Sequence, residues 1–136
     1  MREKIKEQLD LLKAKGAHYV DARWYPREDS NFLFMWNGNL KENNASSQSG
    51  MGVRVLYNGA WGFSASSDLS NPDAIFEKAF DNARIASERV TFPIRLAEKE
   101  AIVGSFTSPN QIDPFSIGLA EKVAFLQKMD SALNQP

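Results

Sequence analysis

The chain has no cysteine and a single histidine, His18. The first absence excludes a disulfide framework and thiol chemistry. Together they exclude a standard zinc site from this chain alone, because such a site takes three or four His, Cys or acidic ligands and a structural one usually needs Cys. No apolar run approaches the ~20 residues of a membrane span, and the N-terminus reads as a charged helix rather than a signal peptide. Charge of one sign is also lacking. A net charge of −1 over 136 residues gives no ground for expecting nucleic acid or an anionic membrane as partner. A cytoplasmic protein is the default expectation. Catalytic signatures are missing as well. Gly62-Phe63-Ser64-Ala65-Ser66 lacks the second glycine of a nucleophile elbow. Gly50-Met51-Gly52-Val53-Arg54-Val55 lacks the third glycine of a dinucleotide fingerprint and runs into a strand where a helix should start.

What is present is ordinary globular composition, 43% hydrophobic and 24% charged, and a clear pattern. The length suits one domain, or one domain with an appendage. The most informative stretch is 50–66. Two apolar runs flank Asn58-Gly59, the strongest short signal for a type I′ turn, which needs positive φ at both central residues. The turn sets Tyr57 opposite Ala60, Leu56 opposite Trp61, Val55 opposite Gly62 and Arg54 opposite Phe63. Alternation then creates two unlike faces. One carries Val53, Val55 and Tyr57 with Ala60, Gly62 and Ser64, leaving room for a helix over small residues. The other carries Arg54, Leu56, Trp61 and Phe63. A lone hairpin cannot bury both.

Before it, residues 1–15 read as a helix with Ile5, Leu9 and Leu12 on one side and Gly16 as its stop. Residues 17–25 read as a strand and 26–30 as a polar break. A second strand, 32–36, turns at Asn37-Gly38 into a weak polar strand, 39–49. Gly50 and Gly52 are expected to mark a bulge or bend. After the hairpin, Asn71 is the expected N-cap and Pro72 the first residue of a helix striped by Ile75, Phe76, Ala79, Phe80, Ala83 and Ala86. Phe92-Pro93 ends that pattern. Three short apolar pieces follow, 94–96, 101–103 and Phe115. Ser116 is then expected to cap a last helix with Leu119, Val123, Leu126, Met129 and Leu133. The expected fold is α+β: an antiparallel meander of about five strands with helices on one face (α-β-β-β-β-β-α), then an extended linker and a further helix. The expected domains are 1–92 and 93–136, the second a linker and the beginning of a further unit.

Single residues add little chemistry. His18 is read as a capping or half-buried histidine. Asp21 and Arg23 could pair with each other, with Arg54 or with Glu42, most simply as rim ion pairs. Trp24, Trp36 and Trp61 read as core or interface aromatics. The polar segment 40–49 with its glycine-rich entry is suited to accept an extended peptide as an added strand.

Several of these blocks carry a resemblance. Residues 16–23, Asn37-Gly38-Asn39-Leu40-Lys41-Glu42, and Gly50-Met51-Gly52-Val53-Arg54-Val55 leading to Asn58-Gly59-Ala60-Trp61-Gly62-Phe63 resemble the N-terminal domain of the TldD/PmbA family. Gly104-Ser105-Phe106 and Asp113-Pro114-Phe115 resemble the start of that family's central region. The family was first described as modulators of DNA gyrase and is regarded as zinc metalloproteases. The resemblance implies a peptidase acting on extended or unfolded polypeptides, assembled as a homodimer or as a heterodimer of two members. It implies zinc held by a His-Glu-x-x-x-His helix and a cysteine in the C-terminal part, so no catalytic, cofactor or metal residue carries over to this chain. The matching positions are structural: Gly50, Gly52, Arg54, Gly59, Trp61, Gly62 and Phe63. The expected function is a non-catalytic N-terminal domain that aids dimerisation and walls the substrate cavity. The alternative is a stand-alone peptide- or protein-binding adaptor module without protease activity.

Overall fold

A computed structural model describes residues 1–100 and 102–134. Ala101 of the second apolar piece, with Gln135 and Pro136, lies outside the described residues. The elements are α1 (Arg2–Ala14), β1 (Tyr19–Trp36), β2 (Asn39–Tyr57), β3 (Ala60–Ser66), α2 (Asp73–Ser87) and α3 (Leu119–Leu133). The sheet has three strands in the order β1-β2-β3.

The class is α+β as expected, but three strands replace the expected five. Residues 17–25 and 32–36 merge into β1, and 39–49 and 50–57 merge into β2. Pro26 does not break β1, which is an edge strand, the place in a sheet where a residue without an N–H is tolerated. Gly50 and Gly52 do not bend β2 out of the sheet. A β-carbon at Gly50 would lie 3.2 Å from the Ser66 carbonyl oxygen, and one at Gly52 3.4 Å from the Phe63 ring. They serve close packing instead. Residues 40–49, expected as the solvated or edge part of the sheet, extend β2 past its last β3 partner, Met51↔Ser66, and are exposed throughout.

Both Asn-Gly turns form as the sequence predicts. Asn37 and Asn58 take φ of 49° and 46°, Gly38 and Gly59 71° and 81°. The second fixes the β2–β3 register, from Tyr57↔Ala60 through Val55↔Gly62 to Met51↔Ser66.

The chain groups into two compact units. The first comprises Met1–Glu28 and Ser47–Glu98. Its core joins Leu12 of α1, Val20 of β1, Met51, Val53 and Val55 of β2, and Ile75, Phe76, Ala79 and Ala83 of α2. Gly62 lets α2 lie on β3, since a β-carbon there would collide with the Ala79 carbonyl and the Ala83 backbone. Lys4 of α1 pairs with Asp73 of α2 at 3.1 Å. The helix begins at Asp73 with Pro72 as its N-cap, one residue later than expected and without a side-chain cap from Asn71.

The second unit comprises Asp29–Ser46 and Lys99–Pro136. The Ser30 and Ser46 hydroxyls share a hydrogen bond of 2.8 Å across the hairpin. Ser116 does not cap α3, whose N-cap is Gly118. Asp113 claims that stretch instead: its carboxylate accepts from the Phe115 N–H at 2.9 Å and its carbonyl from the Ser116 hydroxyl at 2.7 Å. Such a local Asx turn competes with helix entry. No residue of α3 is fully buried.

Candidate functional site: the helix-free face of the sheet

In the first unit, alternation sends Val20, Val53, Val55 and Ser64 toward the helices, where each is buried. The same alternation sends Tyr19, Asp21, Arg23 and Tyr25 of β1, Gly52 and Arg54 of β2, and Trp61, Phe63 and Ala65 of β3 to the opposite face. No helix of this unit covers them. Phe63 stays 58% exposed, in contrast to Phe76 in the core at 1%.

This face is ordered by its own contacts. Arg54 donates to one oxygen of Asp21, Oδ2, from Nε at 2.9 Å and from Nη2 at 2.6 Å. Of the three pairings that the sequence allows for these residues, this one forms. The Asp21 carboxylate, by hydrogen bonds first and then by charge, raises the Arg54 pKa further. The guanidinium also lies 5.5 Å from the centre of the Trp61 ring, a cation–π arrangement. Tyr19 meets Trp61 edge-on at 5.8 Å. An open groove of about 550 Å³ runs beside this cluster, lined by Arg23, Tyr25, Glu28, Met51, Gly52 and Phe63 among others. The arrangement presents flat aromatic area with two fixed charges. It holds no nucleophile next to a base.

The structural positions picked from the sequence divide by role. Gly52, Arg54, Trp61 and Phe63 come together on this face. Gly62 faces the helix, and Gly59 turns the hairpin beneath Pro93, with the Ile94 N–H donating to its carbonyl at 2.9 Å. His18 is exposed and its N–H donates to the Leu56 carbonyl at 2.8 Å, so it starts the β1–β2 pairing. Asn82 was not legible as a site residue. It sits on α2 and donates to the Phe63 carbonyl at 2.8 Å; its only signal was a place three residues beyond Ala79 on the helix.

The zinc implied by the resemblance does not fit these residues. Among the described residues no group of three or more His, Cys, Asp or Glu is gathered closely enough to hold a metal.

Comparison with known proteins places this geometry. Residues 21–83 match the family description PmbA/TldA metallopeptidase domain 1. The chain is 30% identical over 122 residues to a metalloprotease of Methanocaldococcus jannaschii, an alignment covering 88% of this chain and 26% of that protein. Its fold is similar to the crystal structure of a candidate modulator of a DNA gyrase from Thermotoga maritima, with a TM-score of 0.59 and 21% identity, over 94% of this chain and 28% of that one. The chain spans about a quarter of the length of these relatives.

Proposed function

We propose that this chain, whose residues 21–83 match PmbA/TldA metallopeptidase domain 1, is a non-catalytic part of a zinc peptidase acting on extended or unfolded polypeptides. Its role is assembly. The helix-free face seats a neighbouring domain or a second family subunit, as homodimer or heterodimer, and walls the cavity that substrate enters.

The observation that carries this reading is Phe63. A large ring midway along the edge strand β3 is left 58% exposed, beside Trp61 and the Arg54–Asp21 pair, over a groove of about 550 Å³. Aromatic and arginine side chains held rigid on a sheet are the residues that dominate protein interfaces. The groove supports the cavity role, since its lining combines Tyr25, Gly52 and Phe63 with Arg23 and Glu28. The zinc chemistry is assigned to other parts of such a protein.

Sedimentation velocity tests the reading. The chain is run alone and mixed with a full-length PmbA/TldD-family metallopeptidase. The expected result is association in at least one of the two, abolished by Phe63→Glu with the thermal midpoint unchanged. A chain that stays monomeric in both, or a Phe63→Glu variant that associates like the parent, overturns the proposal.

A further inference from the structure

The two Asn-Gly turns have nearly the same backbone. Asn37 and Gly38 take φ of 49° and 71°, Asn58 and Gly59 46° and 81°. An Asn-Gly pair is also open to reaction within itself. The glycine nitrogen reaches the side-chain carbonyl carbon of the asparagine, and no β-carbon hinders its approach. The turns differ in what holds each of them.

Gly59 is clamped. It is buried, its carbonyl accepts the Ile94 N–H at 2.9 Å, and its α-carbon packs against Pro93. Swinging the Asn58–Gly59 peptide toward the Asn58 side chain would unseat it. The next residue, Ala60, has no side-chain donor.

Gly38 is only half-buried. The atom nearest to where its β-carbon would stand is Asp130 Oδ2, a side-chain tip, at 3.6 Å. In a two-residue turn the ladder bonds belong to the flanking residues, here Trp36 and Asn39, so the Gly38 N–H is not held by the sheet. The residue after this turn is Asn39, and its Nδ2 donates to the Asn37 carbonyl at 2.9 Å. That carbonyl and the Gly38 nitrogen form one amide. As the nitrogen gives up its proton to attack, negative charge gathers on the carbonyl oxygen, where a donor already stands.

We propose that Asn37-Gly38 is a site of self-modification and that Asn39 is the positioning residue that promotes it. The Gly38 nitrogen bonds to Asn37 Cγ and the Cγ–Nδ2 bond breaks. The side-chain amide leaves as ammonia, with the proton that the nitrogen lost. Water then opens the cyclic imide at one of its two carbonyls. Breaking the new N–Cγ bond gives aspartate. Breaking the original peptide bond gives isoaspartate, in which the main chain runs through the side chain. Nothing is oxidised or reduced, and water is the one reactant added. Isoaspartate adds a backbone carbon to a turn whose length sets the register of the hairpin. Either product places a new carboxylate at the turn that Asp130 adjoins. The proposal concerns the tip of the 29–46 hairpin and does not depend on the assembly reading.

The test is peptide-mapping mass spectrometry of the folded chain aged in neutral buffer. Both turns are read in the same molecule, by the mass gain of amide-to-acid conversion and by the separation of aspartate from isoaspartate. Asn37 should convert about tenfold faster than Asn58, which must first break its clamp. In urea, where neither turn is held, the two rates should draw level. Asn39→Ala should slow Asn37 about fivefold and leave Asn58 unchanged. A side chain that merely braced the turn would have the opposite sign, since a loosened turn reacts faster. No conversion at Asn37, equal rates in the folded chain, an advantage of Asn37 that survives in urea, or an Asn39→Ala rate equal to or above the parent's overturns the proposal.

Discussion

A β-carbon on Gly62 has nowhere to go, since the Ala79 carbonyl and the Ala83 backbone already occupy its direction. Backbone atoms of a helix cannot turn aside as a flexible side chain can, so α2 would have to lift from β3. Gly62→Ala is expected to cost about 3 kcal/mol by overpacking, read from urea denaturation; a variant as stable as the parent would contradict the close approach. Asp68 makes a second, electrostatic case. Its carboxylate accepts the Ser70 N–H at 2.9 Å. The backbone bond first, and then a bond from the Ser70 side chain, hold its pKa below the ordinary value. The folded chain therefore favours the ionised form. The stability this lends is present above the ordinary carboxylate value and is lost as pH falls through the lowered folded one. A carboxyl-carbon NMR titration should place the Asp68 midpoint lower in the folded chain than in urea, and equal midpoints would contradict the turn. Positions of this kind differ in how far the sequence reveals them. The small residues opposite Val53, Val55 and Tyr57 announced a helix over β3, whereas nothing local marked Asn82 as the residue that would reach the Phe63 carbonyl.

The β2–β3 hairpin and α2 were legible because their signals are local and agree. Asn58-Gly59 sets the turn and the turn sets the register; the alanine and aromatic stripe of α2 then matches the hairpin's small face. Gly59 at φ 81° also lies against Pro93. Gly59→Ala should cost about 1–2 kcal/mol from the left-handed backbone alone, more with that contact, as a lowered thermal midpoint. β1 and β2 were misread for the complementary reason. Pro26 and Gly50 are breakers by local rule, but the rule depends on which side of a strand is hydrogen-bonded and which neighbour approaches. β1 is an edge, and Gly50 is needed against the Ser66 carbonyl; both facts belong to the assembled sheet. At 113–116 the failure was a contest between two local structures, in which the Asp113 turn took the Ser116 hydroxyl that a helix cap would have used.

Across the whole molecule, the first unit has one face sealed by α1 and α2 and another on which Leu56 is buried but Arg54 and Phe63 stay exposed. The assembly proposal rests on that asymmetry, and it assigns the peptidase chemistry elsewhere. Given zinc and a denatured polypeptide, the chain alone is expected to show no hydrolysis and no tight zinc uptake by calorimetry, and either activity would contradict the assignment. The face itself was legible in outline, since alternation placed Arg54, Trp61 and Phe63 together. The Arg54–Asp21 pairing and the groove beside Tyr25 were not, because they depend on how β1 lies against β2. The most direct check compares two phenylalanines by urea denaturation. Phe76→Ala in the sealed core should cost about 3–5 kcal/mol, while Phe63→Ala on the open face should change stability by no more than about 0.5 kcal/mol. Comparable losses from the two substitutions would mean that the face is part of this chain's own core, and the assembly reading would fall.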